Sequence, residues 1–427
     1  VLRVVKKSGA FWVYFLSSLV SKLIPFLMLP ILTKYLSVAD YGVLTLFQTI
    51  LAFLVPITSM SLSRQVDKYF FQQEKPFIAR LLFQIIVIFH GMSLVALVSV
   101  WGANWWLGFG FDTLWLYLLV GIALSNSINL LFSILLRNLK RVYLFGLFQI
   151  LQTLLNVGVS LLFIVQYAYG YEGRFLGIAT ASYLPSILAV GVLYRTSWIS
   201  LQLDIPLLKK IWRLSLPMVP FGLATIIITM SDVFFIKAMC SVEMVGLYAI
   251  GLLFGKTIIL IQSSVTNVSE PWVLRQLAQH SPKADIRIVK FIGLYHVGIL
   301  LLVAIGSYLS SFAIVWMIDE KFHEAKGFVF WIMLAYGIRG LQGMYTPFLI
   351  AKDKMGFMAL NTVLVALLNI VLNYILILSY GTIGAAYATL ITFGVSYLSV
   401  LYYTQKVSPL PFGAVYREIR HTKRSTP

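Results

Sequence analysis

Acidic residues are scarce, with 15 Asp and Glu in 427 residues. Charged types together make up 11% of the chain, against about 25% in ordinary soluble domains. A soluble fold with so little charge has no means of covering its surface. That excludes a typical soluble enzyme, a disordered chain and a nucleic-acid-binding module. Cysteine is nearly absent: Cys240 stands alone, so no intrachain disulfide forms and no cysteine-based metal site is expected. The histidines, His90, His280, His296, His323 and His421, are scattered without metal-ligand spacing. No loop is long enough for a domain with its own core, and no paired-carboxylate or Ser/His/Asp arrangement is present. The chain is therefore not expected to be an enzyme.

What is abundant is apolar sequence: 60% hydrophobic types and a mean hydropathy of +0.89. The bilayer core, about 30 Å thick, is crossed by about 20 apolar residues in a helix. Twelve such runs are read, at 11–33, 41–61, 80–101, 114–136, 143–166, 175–194, 215–237, 245–266, 289–311, 327–349, 356–379 and 382–403. The fold class expected is an all-α polytopic membrane protein of about 12 transmembrane helices, in two parallel six-helix lobes around a central cavity. The first apolar run is too long for a signal-peptide core, and no small-x-small site follows it, so it is expected to stay as the first span.

The net charge of +18 is chiefly a topology signal. Of 33 Lys and Arg, 25 fall before the first span, in the loops after even-numbered spans and in the tail. Five fall on the other side: Lys34, Arg174, Lys237, Lys321 and Lys326. The positive-inside rule then places both termini in the cytoplasm. Anionic headgroups are a second use for these basic loops, and nucleic acid is not an expected partner.

The chain carries an internal echo. Ser37-Val-Ala-Asp-Tyr-Gly42 and Ser241-Val-Glu-Met-Val-Gly246 precede the second and eighth spans, and Leu176-Gly177-Ile178-Ala179 and Ile383-Gly384-Ala385-Ala386 open the sixth and twelfth. Near-equal offsets imply two six-span halves, and an even number makes the repeat parallel, with a cavity between the halves. The domains expected are 1–200, an N-terminal lobe; 201–213, an amphipathic cytoplasmic linker; 214–403, a C-terminal lobe; and 404–427, a basic cytoplasmic tail.

Ionisable residues inside spans cost about 2.5–3.5 kcal/mol each on insertion scales, so they should face protein or water. Lys22 shares an arc with Ser17, Ser18 and Ser21 on the first span. Thr45, Gln48, Thr49, Ser59 and Ser63 share one on the second, which ends at Arg64. Thr225, Thr229 and Asp232 cluster on the seventh, and Lys256, Ser263 and Asn267 on the eighth. Lys22, Arg64 and Lys256 are the candidate anion-binding cations, suited to a phosphate or pyrophosphate. Ser18, Ser21, Gln48, Thr49, Ser59, Ser263 and Asn267 are candidate cavity-lining groups. Arg64 also fits a plain cytoplasmic anchor. Asp232 fits either an ion pair or proton coupling, and Arg339 either the cavity or a carbonyl partner. His90 and His296 read as packed residues. Pro25, Pro30, Pro56, Pro217 and Pro220 are candidate bend points.

Several stretches resemble one transporter family: LSVADYGVL (36–44), LSLPMVPF (214–221), Ser231-Asp232, VGLYAIGLLFGK (245–256), Glu270-Pro271 and LLNIVLNYILILSYGTIGAAYATL (367–390). Together they are similar to the Wzx-type O-antigen and exopolysaccharide flippases of the multidrug/oligosaccharidyl-lipid/polysaccharide exporter superfamily. The resemblance implies a multi-pass bacterial inner-membrane flippase. It would move an undecaprenyl-pyrophosphate-linked oligosaccharide by alternating access for O-antigen, capsule or exopolysaccharide synthesis, with polymerase and chain-length proteins as possible partners. It implies cations at the helices that carry Lys22, Arg64 and Lys256, and no cofactor beyond possible H+ or Na+ coupling. A cation-coupled multidrug exporter of the same superfamily is the alternative. It is disfavoured because Asp40, Asp67, Glu74, Asp112 and Glu172 all fall in loops or at the ends of the first six spans. A polymerase or ligase would need a large outer loop, and residues 62–79 lack the loop pattern of the major-facilitator transporters.

Overall fold

Apolar runs long enough to cross a bilayer become helices because only a helix satisfies its own backbone polar groups there. The computed structural model describes residues 24, 26–60, 62–107, 112–216, 218–279 and 281–411, with backbone alone at 64, 103–107 and 218. Among the described residues there is no strand. The helices are α1 (Leu29–Tyr35), α2 (Val38–Ser59), α3 (Ser63–Phe70), α4 (Lys75–Leu107), α5 (Thr113–Asn138), α6 (Val142–Leu161), α7 (Gly170–Arg195) and α8 (Ile205–Ser215). They continue as α9 (Met218–Met239), α10 (Val242–Gly255), α11 (Ile258–Leu277), α12 (Pro282–Met317), α13 (Lys326–Gly343), α14 (Thr346–Ala351), α15 (Met355–Tyr380) and α16 (Ile383–Val407).

Ten stretches among the described residues are long and apolar enough to span. Two of the twelve expected runs are not among them. Most of the first run, 11–33, lies outside the described residues. The tenth, 327–349, breaks after Gly343 into α13 and the short α14, which opens with Pro347 near its start. The chain divides into two compact units, Val1–Leu223 and Ala224–Pro427, with the boundary inside α9.

In the N-terminal unit α5 is the central helix, packed by α2, α4, α6 and α7. It buries Leu119, Ile122 and Ala123 on the cluster around Phe47 and Phe175, and Leu131, Phe132 and Leu135 on the cluster around Phe89. The amphipathic α8 lays Leu207 and Ile211 on that second cluster and leaves Lys209, Lys210 and Arg213 exposed. In the C-terminal unit α13 is packed by α10, α12 and α16, and α15 pairs with α16.

The internal echo has a structural meaning in each unit. Ser37 caps α2 by accepting from the Asp40 N–H at 3.0 Å, and Asp40 accepts back from the Ser37 N–H. Ser241 caps α10 by accepting from the Met244 N–H at 3.3 Å. The second echo marks close helix contacts. A Cβ on Gly177 would stand 2.8 Å from the Asn156 carbonyl oxygen of α6, and one on Gly384 would stand 2.1 Å from the Leu376 carbonyl oxygen of α15. Only a residue without a side chain lets these backbones meet.

Candidate functional site

The eighth span is not one helix. It breaks at Lys256 and Thr257, between α10 and α11. Three backbone bonds reach three residues instead of four: Thr257 N–H to Phe254, Ile259 N–H to Lys256 and Leu260 N–H to Thr257, at 3.0–3.2 Å. The Thr257 hydroxyl takes the Phe254 carbonyl at 2.7 Å, competing with the regular ladder. Lys256 therefore caps the end of α10, where the helix dipole favours a cation, instead of lying mid-helix. The arc drawn through Lys256, Ser263 and Asn267 assumed an unbroken helix and does not carry across this break.

Gly251 and Gly255 bring α10 against α13. A Cβ at Gly255 would fall 2.5 Å from Ile332 Cγ2, and one at Gly251 would fall 2.8 Å from Phe328 Cβ. That approach sets Lys256 Nζ 5.3 Å from the centre of the Tyr336 ring. Arg339, one turn further along α13, lies 5.9 Å from the same ring and 5.2 Å from the ring of Phe393 on α16. The structure thus brings two of the sequence candidates, Lys256 and Arg339, onto one aromatic residue. Cations on desolvated ring faces gain roughly 1–2 kcal/mol.

Asp232 on α9 stands beside them, 3% exposed. It accepts from the Tyr248 hydroxyl at 2.6 Å and from the Val233 N–H at 3.0 Å, and it interacts with the charge of Lys256. Charge-assisted bonds of this kind are what make a buried carboxylate tolerable. A neutral network continues from the adjacent residue. Ser231 donates to Asn369 Oδ1 at 3.0 Å, Asn373 donates to the same oxygen at 3.1 Å, and Asn369 donates to Thr392 at 3.2 Å. This network ties α9 to α15 and α16. Gln262 donates to the Tyr336 carbonyl at 3.0 Å and holds α11 to α13. Tyr248, Tyr336 and Gln262 were not singled out from sequence, because a tyrosine in an apolar span reads as ordinary packing. The i, i+4 spacing of Asn369 and Asn373 was the available signal for the network.

Of the remaining candidates, Ser263 and Asn267 are exposed on α11. In the N-terminal unit Gln48 is exposed on α2. Thr49 is 1% exposed and returns its hydroxyl to the Thr45 carbonyl at 2.8 Å, and Ser59 is 7% exposed. Arg64 is the second residue of α3, and its side chain lies outside the described residues. Lys22, Ser18 and Ser21 also lie outside them.

Two readings of individual residues are corrected. Arg174, expected in an outer loop, is inside α7 and 9% exposed, donating through Nη1 to Asn156 Oδ1 and, at 2.7 Å, to Ser160. His90, read as packed, is exposed and sits 2.8 Å from the Ile86 carbonyl. His296 is half-buried, with Nε2 2.8 Å from the Tyr397 hydroxyl.

Residues 8–276 match the family model described as polysaccharide biosynthesis protein. A 59-residue stretch is 37% identical to Lsg locus putative protein 1 of Haemophilus influenzae, over 14% of this chain and 15% of that protein's length. Among solved structures, an inward-facing multidrug resistance MATE family transporter of the MOP superfamily aligns over 91% of this chain and 96% of its own, with a TM-score of 0.66 and 13% identity. The lipid II flippase MurJ in an inward closed conformation aligns over 92% and 87%, with a TM-score of 0.67 and 13% identity. A MOP superfamily transporter from Pyrococcus furiosus aligns over 93% of each chain at a TM-score of 0.53 and 15% identity. At these identities the structural likeness speaks for the fold. With its spans and the family match over most of its length, the chain belongs to the polysaccharide biosynthesis protein family, as a multi-pass membrane protein whose fold is like that of these MATE and MurJ structures.

Proposed function

We propose that the chain is a flippase that carries a polyprenyl-pyrophosphate-linked oligosaccharide repeat unit across the bacterial inner membrane by alternating access. The pairing of Lys256 and Arg339 on the Tyr336 ring carries this reading, together with the family. Two cations close to one aromatic residue attract a diphosphate, and an arginine binds it through a planar fork. Lys22 and Arg64, the other two cations picked out from sequence, are proposed as further substrate-binding groups. Exposed Gln48, Ser263 and Asn267 are proposed to meet sugar hydroxyls.

Asp232 is the proposed coupling group. Its partners Tyr248 and Val233 are hydrogen-bond donors, and a sodium site would need oxygen acceptors in their place. A proton therefore suits it better than sodium. Protonation would release Lys256 from the pull of Asp232 and change its hold on the diphosphate. Both termini are proposed to be cytoplasmic, on the distribution of Lys and Arg.

The second reading is a cation-coupled multidrug exporter, favoured by the buried Asp232 and by the MATE-like fold. Against it, no Asp or Glu before residue 224 is buried among the described residues. Deleting the gene separates the two. The flippase reading predicts lost surface polysaccharide and lipid-linked repeat units accumulating in the membrane. Unchanged polysaccharide with raised drug sensitivity would support the exporter.

A further inference from the structure

We infer that the N-terminal unit binds the polyprenyl phosphate end of a carrier lipid in a groove between α1 and α6, with Lys34 at the phosphate. The groove has a volume of about 650 Å³. One wall is Pro30, Ile31, Lys34 and Tyr35 of α1. The other runs from Leu161 and Leu162 to Val165 and Gln166. This inference rests on the flippase reading for the identity of the lipid, and on the geometry alone for the site.

Three features point to a lipid with an anionic head. First, α1 is two-faced. Met28, Leu32 and Leu36 are buried, on a cluster that includes Leu44 and Ile164. Ile31 and Tyr35, one and five residues on from Pro30, stay exposed on the groove side. An apolar face left open on a seven-residue helix needs a nonpolar occupant, and in a bilayer that occupant is a hydrocarbon chain.

Second, the opposite wall is irregular. Helix α6 passes into a π turn over Leu162–Gln166. Such turns widen the helix and concentrate at functional positions. Here the turn sends Ile164 into the core and leaves Leu162 and Val165 exposed to the groove. Third, polarity is confined to one end. Lys34 is in the last turn of α1 and Gln166 ends the π turn. Tyr35 joins them, and Phe163, Tyr167 and Tyr169 cluster just beyond at 5.6–6.0 Å between ring centres. A cation and tyrosines at the mouth of an apolar groove are the arrangement an interfacial phosphate requires. Pro30 to Lys34 is about 6 Å of helix, so the groove takes the isoprene units nearest the phosphate and the remaining tail lies in the bilayer.

On the proposed topology this mouth faces the outer leaflet. The groove would then hold a carrier lipid in the leaflet to which the repeat unit is delivered. The test uses the full-length protein in nanodiscs and a photoreactive analogue of undecaprenyl phosphate, with labelled peptides mapped by mass spectrometry. The expected result is labelling of peptides containing Ile31 and Leu162, competed by undecaprenyl phosphate and not by phosphatidylglycerol. Lys34→Gln should lower labelling roughly tenfold, the worth of one charge-assisted contact. Lys34→Arg should retain it, and Leu162→Trp should abolish it by filling the groove, with melting temperature unchanged as the folding control. Equal competition by phosphatidylglycerol would make this an ordinary lipid contact and overturn the inference, as would labelling confined to other helices. Labelling at the groove in a protein whose deletion leaves polysaccharide intact would sink the flippase reading and leave the site standing.

Discussion

Asp232 concentrates the residue-scale physics. A carboxylate 3% exposed is costly unless donors reach it, and Tyr248 does so at 2.6 Å. Replacing Tyr248 by Phe removes that donor and leaves the acceptor buried, which should cost about 1–3 kcal/mol and lower the melting temperature of the purified protein. A melting temperature equal to the parent's would show that the bond contributes nothing. Lys256→Gln should cut export of polysaccharide at least tenfold while the protein remains in the membrane, because it removes one of two cations beside Tyr336. Lys256→Arg should keep part of it. Asp232→Asn should make export insensitive to external pH, measured as polymer output across pH 6 to 8 buffers; an unchanged pH response would remove Asp232 from the coupling role.

Sequence reasoning reached Lys256, Arg339 and Asp232 because a charge inside an apolar run stands out. It did not reach Tyr248, Tyr336 or Gln262, whose roles depend on which helix faces them. Arg174 was misplaced for the same kind of reason. Helix α7 begins at Gly170, earlier than the apolar pattern, which shows only the run from 175.

At the scale of elements, hydropathy predicts where helices run and is blind to how they are interrupted. The run 245–266 is apolar throughout apart from Lys256 and a few hydroxyl and amide groups, so periodicity carries no sign of the break at Lys256 and Thr257. The break arises from the Thr257 hydroxyl and from the Gly251 and Gly255 contacts with α13, which belong to local competition and tertiary packing. Glycine pairs were legible as an echo at Gly177 and Gly384, and their purpose is visible only with the neighbouring helix in place. Gly384→Ala drives a Cβ to 2.1 Å from the Leu376 carbonyl and should destabilise by about 1–3 kcal/mol or more, since backbone cannot rotate away. Gly394→Ala, with nothing within 4 Å, should leave the melting temperature unchanged or slightly raised. Equal effects of the two substitutions would mean that α15 and α16 are not in close contact.

For the whole molecule, the charge distribution makes a claim that the single cysteine can test. Cys240 is exposed, between α9 and α10, and the proposed topology puts it on the side opposite the basic loops. A membrane-impermeant maleimide should label it in intact spheroplasts without permeabilisation. Labelling only after permeabilisation would invert the topology and move Lys34 and its groove to the cytoplasmic leaflet. The helical membrane architecture was legible because the bilayer imposes span length and loop charge directly on sequence. The cargo was not, because a sugar is recognised by a few hydroxyl and amide groups that no periodicity marks.

The central claim is translocation of a lipid-linked repeat unit. It is tested most directly by asking which face of the membrane that unit occupies when the protein is removed. In spheroplasts of the deletion strain, lipid-linked oligosaccharide should be protected from a membrane-impermeant glycosidase or periodate. It should become accessible when the parent chain is restored, and stay protected with Lys256→Gln. Oligosaccharide that is equally accessible with and without the protein would contradict the account.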